Sequence, residues 1–256
     1  IAEPGEVFIA PSLVDIPEDK QGDMVKLGRR IFVDTLNHAR RYTGNALACS
    51  HCHLSEGRKP NAAPMWAAWV RYPRAGSTPG TVDTFESRVQ DCFHFEMNGQ
   101  SPPLDSPEMQ ALVAYAQWLA SHAPTGAKLP GQGLGAPQAL AGARNRDVAL
   151  AGDRARGEAL YQRQCLVCHG PDGKGVARAD GGWQFPPLWG RASFTGGSVL
   201  ARPAKFAAFV RANMPLGRGG SLTAQDAADL AAYVLAQPRR ADPRTGWFSP
   251  GKEARR

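Results

Sequence analysis

The pentapeptide Cys-x-x-Cys-His occurs twice in the 256 residues of this chain, at 49–53 and at 165–169. This is the spacing of covalent c-type haem attachment, in which two cysteines bond the porphyrin and the adjacent histidine ligates the iron. A chain with two such motifs has to fold around two haem pockets. We therefore predict two covalently attached haem c groups, which are held by Cys49, Cys52 and His53 and by Cys165, Cys168 and His169.

Two other uses of a Cys-x-x-Cys pair fit this sequence less well. A structural zinc site has four ligands, so a second pair of cysteines or histidines would be expected close to each motif. A thioredoxin-like redox pair lies between a strand and a helix, and the sequence shows no such βαβ alternation. Neither alternative explains why a histidine follows the second cysteine in both motifs. Haem attachment is therefore the interpretation that we adopt.

The sequence around each motif follows one plan, which indicates an imperfect duplication. A helix-like stretch with a glycine near its start precedes each motif, at Gly28 and at Gly157. A second helix closes each unit, with Ser106 as its predicted N-cap in the first unit and Thr223 in the second. A glycine-bearing helix packed against a closing helix is typical of class I cytochrome c domains. The sequence therefore predicts a mainly α protein, with two class I cytochrome c-like haem domains joined by a long irregular linker.

The predicted domain boundaries follow from spacing and composition. Tyr115 lies 66 positions after Cys49, and Tyr233 lies 68 positions after Cys165, which supports two copies of one unit. The stretch 124–142 is rich in Gly, Pro and Ala, which favours a segment running over the surface rather than a packed element. We therefore divide the chain into an N-terminal haem domain (1–125), a linker (126–152), a C-terminal haem domain (153–238) and a basic tail (239–256).

Composition and charge narrow the classes of function. No run of about 18 apolar residues occurs, so we expect no membrane span. Residues 1–128 hold 12 Lys and Arg against 14 Asp and Glu, whereas residues 129–256 hold 18 against 9. The basic residues are scattered, which argues against nucleic-acid binding and favours the steering of acidic partners. Because haem of this kind is attached outside the cytoplasm, we expect a periplasmic protein whose signal peptide has been removed.

The iron of the second haem needs an axial ligand besides its histidine, and Met214 is the candidate. It lies 45 positions after His169, shortly before the closing helix, and is the sole methionine in the second half of the sequence. A thioether ligand favours ferrous iron and raises the reduction potential. We therefore predict His169 and Met214 as the ligands of the second iron.

Three side chains compete for the same position in the first domain: Cys92, Met97 and His94. Cys92 is the one cysteine that remains after four haem anchors, so it has no partner for an intrachain disulfide. As a thiolate it would lower the potential of the haem, and the nearby Arg88 would help to keep it ionised. A cysteine that is simply buried in the core is the alternative, because free cysteine is among the most buried residue types.

Longer strings in both halves resemble the dihaem thiosulfate dehydrogenases, and the resemblance covers most of the chain. The matching strings lie at 44–54, 57–64, 72–73, 88–93, 97–99, 185–190, 193–194, 213–217 and 242–244. Members of this family join two thiosulfate ions into tetrathionate and release two electrons, and some run the reverse reaction. The resemblance implies that activity here, with electrons leaving to a small c-type cytochrome or another periplasmic acceptor.

The resemblance also implies roles for single residues. It makes Cys92 the second ligand of the first iron and the reaction centre, and it supports Met214 as the ligand of the second iron. Arg88 matches a substrate-binding arginine, and Arg74 matches a second one. Glu96 departs from the family, which commonly has a small polar residue there, usually serine. A carboxylate that faces the pocket would repel thiosulfate unless it pairs with an arginine.

Three alternatives stay open from the sequence. The protein could be a dihaem electron-transfer cytochrome that lacks substrate turnover. It could instead be a relative that acts on another sulfur compound, and Glu96 is the residue that raises this alternative. The third is a haem subunit of a sulfur-oxidising carrier complex, which would need a partner chain.

Overall fold

The computed structural model describes residues 6–76, 79–126, 128–135 and 150–245. Their regular structure is mainly helical, as predicted, and the helices are α1 (Lys20–Val33), α2 (Thr35–His38), α3 (Leu54–Gly57), α4 (Met65–Trp69), α5 (Phe85–Phe95), α6 (Pro107–Leu119), α7 (Arg154–Gln164), α8 (Leu166–His169), α9 (Pro203–Asn213) and α10 (Ala224–Leu235). Two short antiparallel pairs of strands accompany them, β1 (Arg74–Ala75) with β2 (Val82–Asp83) and β3 (Val176–Ala177) with β4 (Trp183–Phe185). None of the described helices is long and apolar enough to cross a lipid bilayer.

The first domain is built on the close contact between α1 and α6. Gly28 of α1 lies against the carbonyl of Ala111 in α6, so near that a Cβ on the glycine would stand 2.0 Å from the oxygen. Ser106 caps α6 by accepting a hydrogen bond of 3.2 Å from the N–H of Met109, and Pro107 occupies the first helical turn. The predicted cap and the predicted helix pairing are therefore confirmed in this domain.

The second domain repeats this arrangement with α7 and α10. A Cβ on Gly157 of α7 would stand 2.0 Å from the carbonyl oxygen of Asp229 in α10. Thr223 caps α10 by accepting a hydrogen bond of 3.0 Å from the N–H of Asp226. The carboxylate of Asp229 also pairs with Arg156 of α7 at 2.7 Å, which ties the two helices together. The duplication predicted from the sequence is thus a repeated helix pair in the structure.

Side-chain amides join the two domains. Asn98 in the first domain donates to the carbonyl of Ser193 in the second at 2.9 Å. Asn213, which is fully buried at the end of α9, donates to the carbonyl of Asn61 at 2.8 Å. Because both donors bond backbone atoms of the other domain, they fix how the haem-binding segments of the two domains meet.

The beginning of the predicted linker is packed, which differs from the expected surface segment. Leu129 is only 6% exposed and belongs to the core of the first domain. The carbonyls of Gly131 and Gly133 accept hydrogen bonds of 2.6 Å from the N–H groups of Asn61 and Ala63. An apolar side chain and paired backbone groups therefore hold 128–135 against the first domain, although the segment has no helical or strand periodicity. Residues 127 and 136–149 of the predicted linker, and 246–256 of the predicted tail, lie outside the described residues.

Candidate haem sites and active site

A cavity of about 380 Å³ lies in the first domain, and the first Cys-x-x-Cys-His motif forms part of its wall. Cys49, Cys52 and His53 all line it. Most of the remaining lining is apolar and includes Phe32 of α1 and Leu112 of α6. An apolar cavity with a few polar groups is the usual form of a cofactor site. The motif that was predicted to anchor the first haem thus opens into a space suited to a large planar apolar group.

The histidine of each motif is oriented as an iron ligand has to be. Nδ1 of His53 lies 2.6 Å from the carbonyl oxygen of Ala63, and Nδ1 of His169 lies 2.8 Å from that of Pro186. A ring nitrogen that faces a carbonyl carries the proton, so Nε2 of each ring keeps the lone pair that binds a metal. Burial lowers the pKa of both histidines, to about 4 for His53, and so favours the neutral form that ligates iron. Both donor sets fit haem.

One face of α5 brings the polar chemistry into the first cavity. Arg88 and Cys92 of α5 and Glu96, which caps the C-terminal end of α5, follow one another at intervals of four residues and all line the cavity. Thr84 fixes the start of this helix, because its hydroxyl accepts a hydrogen bond of 3.1 Å from the N–H of Ser87. Side chains four residues apart lie on one face of a helix, so the spacing of these three residues accounts for their common direction.

The structure separates the three side chains that compete for the first iron. Cys92 and Met97 both line the cavity of His53. His94 is exposed, packs its ring against Phe95 at 5.0 Å between centroids, and does not line the cavity. Burial raises the pKa of the Cys92 thiol, and the charge of Arg88 is the main opposing effect. Cys92 and Met97 therefore remain as candidates by position, and Cys92 alone has a cation beside it on the same helix face.

Glu96 points into the cavity and also pairs with an arginine. Its Oε1 lies 3.5 Å from Nη2 of Arg88 and accepts a hydrogen bond of 3.0 Å from the hydroxyl of Ser198 in the second domain. Burial raises the pKa of the carboxyl, against smaller opposing effects of Arg88 and Ser198. Among the described residues that line the cavity, Glu96 is the single acidic one. The carboxylate therefore competes with any anionic substrate for Arg88.

Further cations lie around the same cavity. Arg74 lines it from β1, although its guanidinium also pairs with Asp83 at 3.3 Å and lies over the ring of Tyr72. Arg71 and Lys205 line it as well, and neither was identified from the sequence. Arg71 directly precedes the matched Tyr72-Pro73 string, and this position could have identified it as a cavity residue. Lys205 belongs to α9 of the other domain, so no nearby sequence feature relates it to the first cavity. The positive side chains that line the cavity can therefore attract an anion into it.

A second cavity, of about 230 Å³, lies in the second domain. Cys165, Cys168 and His169 of the second motif line it together with Met214, which directly follows α9. Its other lining residues are mostly apolar, and no arginine or lysine is among the described residues that line it. The predicted ligands His169 and Met214 thus share a cavity that offers little to an anionic substrate.

The two cavities share a wall. Leu47, Cys52 and Leu200 line both of them. Leu200 belongs to the second domain, and the other two belong to the segment around the first haem motif. A group bound in one cavity is therefore separated from a group bound in the other by single side chains.

Comparisons with known proteins agree with this arrangement. Residues 38–124 match the family model of the SoxA/TsdA cytochrome c domain, and residues 152–234 match that of cytochrome c oxidase, cbb3-type, subunit III. The chain is 44% identical to thiosulfate dehydrogenase of Stutzerimonas stutzeri over 93% of its own length and 74% of that protein. The chain belongs to the thiosulfate dehydrogenase family. Its identity to the family member from Thiomonas intermedia is 41%, over 94% of this chain and 74% of that one.

A solved structure of the family shows the same fold. Thiosulfate dehydrogenase (TsdBA) from Marichromatium purpuratum superposes with a TM-score of 0.85 at 41% identity. The match covers 94% of this chain and 51% of the longer one. The predicted family, the predicted pair of cytochrome c domains and the two covalently bound haem c groups are thereby confirmed.

Proposed function

We propose that this protein is a periplasmic oxidoreductase that couples two thiosulfate ions to tetrathionate at the first haem site. The reaction, 2 S₂O₃²⁻ → S₄O₆²⁻ + 2 e⁻, forms one S–S bond and releases no proton, and the same site serves the reverse direction. The observation that carries the proposal is that Arg88 and Cys92 line the same cavity as the haem-binding His53. The second cavity has no such set of cations among its described lining residues.

The proposed ligands make the two haem sites unlike. His53 and Cys92 hold the first iron, and His169 and Met214 hold the second, while the four motif cysteines bond the two porphyrins. A thiolate ligand lowers the reduction potential and a thioether raises it. Electrons therefore move favourably from the first site to the second, across the wall that the two cavities share.

The main physical obstacle to the reaction is the repulsion between two dianions, and the cations of the first cavity offset it. The guanidinium of Arg88 can hold a sulfonate group through paired N–H donors, and Arg71, Arg74 and Lys205 add positive charge around the cavity. Cys92 lies one helical turn from Arg88, so its thiolate, once it no longer ligates the iron, can form an S–S bond with the sulfane sulfur of one ion as two electrons are given up. The second ion then attacks that sulfane sulfur, and Cys92 leaves as the thiolate. The haems, when bound, supply the one-electron acceptors for the two electrons released.

The external acceptor in this proposal is a small c-type cytochrome or another periplasmic electron carrier. The basic second half of the sequence, with 18 Lys and Arg against 9 Asp and Glu in residues 129–256, supports a partner with an acidic surface.

The test is tetrathionate formation by the haem-loaded protein from thiosulfate and ferricyanide. Arg88→Ala should lower kcat/KM by about 100-fold or more, because it removes a preorganised cation from the site of the charged reactants. Arg41→Ala is the matched control, since Arg41 lies in the same domain but pairs with Glu108 outside the cavity. No turnover in either direction by protein with both haems would favour the alternative, a dihaem electron-transfer cytochrome.

A further inference from the structure

Glu96 is the one acidic residue among the described residues that line the first cavity, and it pairs there with Arg88, the proposed substrate-binding cation. We propose that Glu96 sets the charge of the substrate, so that the first cavity favours monoanionic thiosulfonates, R–SO₂–S⁻, over the thiosulfate dianion. This inference rests on the proposed function, because it concerns which sulfur anion reaches Arg88 and Cys92.

Glu96 already pairs with the guanidinium of Arg88, which the substrate needs. Its Oε1 lies 3.5 Å from Nη2 of Arg88, and the hydroxyl of Ser198 holds the same oxygen at 3.0 Å. The Glu96 side chain is 15% exposed and that of Arg88 is 29% exposed, so solvent screens the pair only in part. One of the positive charges that line the cavity is therefore already balanced before any anion enters.

The contact between Glu96 and Arg88 is not a complete structural ion pair. Oε2 of Glu96 is buried and makes no hydrogen bond among the described residues, although the N–H of Val199 lies close enough to oppose the rise in the pKa of the carboxyl. The pair of Arg29 and Glu56 in the first domain shows the alternative, since both oxygens of Glu56 accept hydrogen bonds of 2.7 Å from Arg29. A buried carboxylate oxygen without a donor repels a further anionic oxygen beside it. An uncharged carbon group meets no such repulsion.

Thiosulfonates satisfy this condition and keep the chemistry unchanged. They carry the same sulfane sulfur, but an alkyl or aryl group replaces one of the three anionic oxygens of thiosulfate. Their coupling, 2 R–SO₂–S⁻ → R–SO₂–S–S–SO₂–R + 2 e⁻, forms one S–S bond, releases two electrons and needs no proton. The two haem groups accept these electrons as they do in the proposed reaction of thiosulfate.

The experiment compares methanethiosulfonate with thiosulfate. Isothermal titration calorimetry on the fully reduced holoprotein measures both dissociation constants without turnover, because reduced haems cannot accept electrons. The unsubstituted protein should bind methanethiosulfonate more tightly than thiosulfate. Glu96→Gln, which removes the charge but keeps the size, should shift the ratio of the two constants by about tenfold or more towards thiosulfate. Glu96→Ser should act in the same direction.

Asp91→Asn is the matched control. Asp91 Oδ2 lies 3.9 Å from Nη1 of the same Arg88, but its side chain is 56% exposed and does not line the cavity. Its removal should leave the ratio unchanged, because solvent screens an exposed charge. A ratio that stays the same in Glu96→Gln, or tighter binding of thiosulfate by the unsubstituted protein, would overturn the inference. So would a failure to bind methanethiosulfonate.

The same experiment separates this inference from the proposed function. If the binding ratio behaves as expected but neither anion is oxidised with ferricyanide, the proposed turnover is wrong and the charge selection stands. If thiosulfate is oxidised with a KM and a binding ratio that do not change in Glu96→Gln, the proposed function stands and the role of Glu96 is refuted.

Discussion

Gly28→Ala tests the helix contact on which the first haem domain is built. The new Cβ would stand 2.0 Å from the carbonyl oxygen of Ala111 and 2.8 Å from Cβ of Tyr115. Ordinary contacts between such atoms are about 3.5–4.0 Å, so α1 and α6 would have to separate by roughly 1 Å or more. Neither the carbonyl nor a Cβ can rotate away. The expected loss in the free energy of unfolding is therefore near the upper end of the ~1–3 kcal/mol typical of overpacking.

The sign of the change in the free energy of unfolding decides whether the two helices are in close contact. In an exposed helix, Gly→Ala stabilises by about 1 kcal/mol through helix propensity alone. Subtracting this gain leaves an expected loss of about 2 kcal/mol in the free energy of unfolding. Urea titration of the holoprotein, followed by circular dichroism, measures it. Gly157→Ala should repeat the loss in the second domain, where the Cβ would stand 2.0 Å from the carbonyl oxygen of Asp229.

Arg30→Ala is the control for the first domain, because Arg30 is an exposed residue of the same helix and should change stability by less than about 0.5 kcal/mol. If Gly28→Ala is as stable as the unsubstituted protein, or more stable, the close contact of the two helices does not hold in solution. The duplication argued from that contact would then lose its physical basis.

Two further predictions concern the second domain. Met214→Ala should lower the reduction potential of the second haem in a spectroelectrochemical titration, since a thioether ligand favours ferrous iron, and an unchanged potential would exclude Met214 as a ligand. Asp229 has a pKa below its usual value. Burial is the largest single effect and raises the pKa, but hydrogen bonds from Arg156, from the N–H of Asp153 and from Gln225 together outweigh it. A carboxyl whose pKa is lowered by folding stabilises the protein above its unfolded pKa of about 3.9 and loses this contribution as the pH falls through the lower folded value. Asp229→Asn should therefore reduce stability at pH 7 and flatten its decline between about pH 5 and pH 2, as measured by urea titration across that range.

Much of the fold could be predicted because its signals are local. The spacing within each Cys-x-x-Cys-His motif predicted His53 and His169 as the haem histidines, and in the structure Nδ1 of each ring faces a backbone carbonyl, that of Ala63 or of Pro186. The caps at Ser106 and Thr223 were predicted from single residues, because an N-cap depends on a side chain and the first turn that follows it. Such features need no knowledge of distant parts of the chain.

The parts that could not be predicted depend on contacts between distant segments. The hydrogen bond between Ser198 and Glu96 joins residues that are 102 positions apart. The direction of the Glu96 side chain could therefore not be predicted from the sequence. Lys205 reaches the first cavity from the second domain for the same reason. The packing of 128–135 was missed because it rests on one apolar side chain, Leu129, and on the backbone carbonyls of Gly131 and Gly133. A single apolar residue and backbone groups leave no periodic pattern in a sequence.

The central claim is that the two haem sites are unlike, with Cys92 as a ligand and reaction centre in the first cavity alone. Electron paramagnetic resonance of the oxidised holoprotein tests it most directly. The unsubstituted protein should show a low-spin ferric signal of thiolate character beside a second low-spin signal from the other haem. Cys92→Gly should abolish the first signal and leave the second in place. If the thiolate-type signal persists in Cys92→Gly, or never appears in the unsubstituted protein, Cys92 is not the ligand and the account of the active site is wrong.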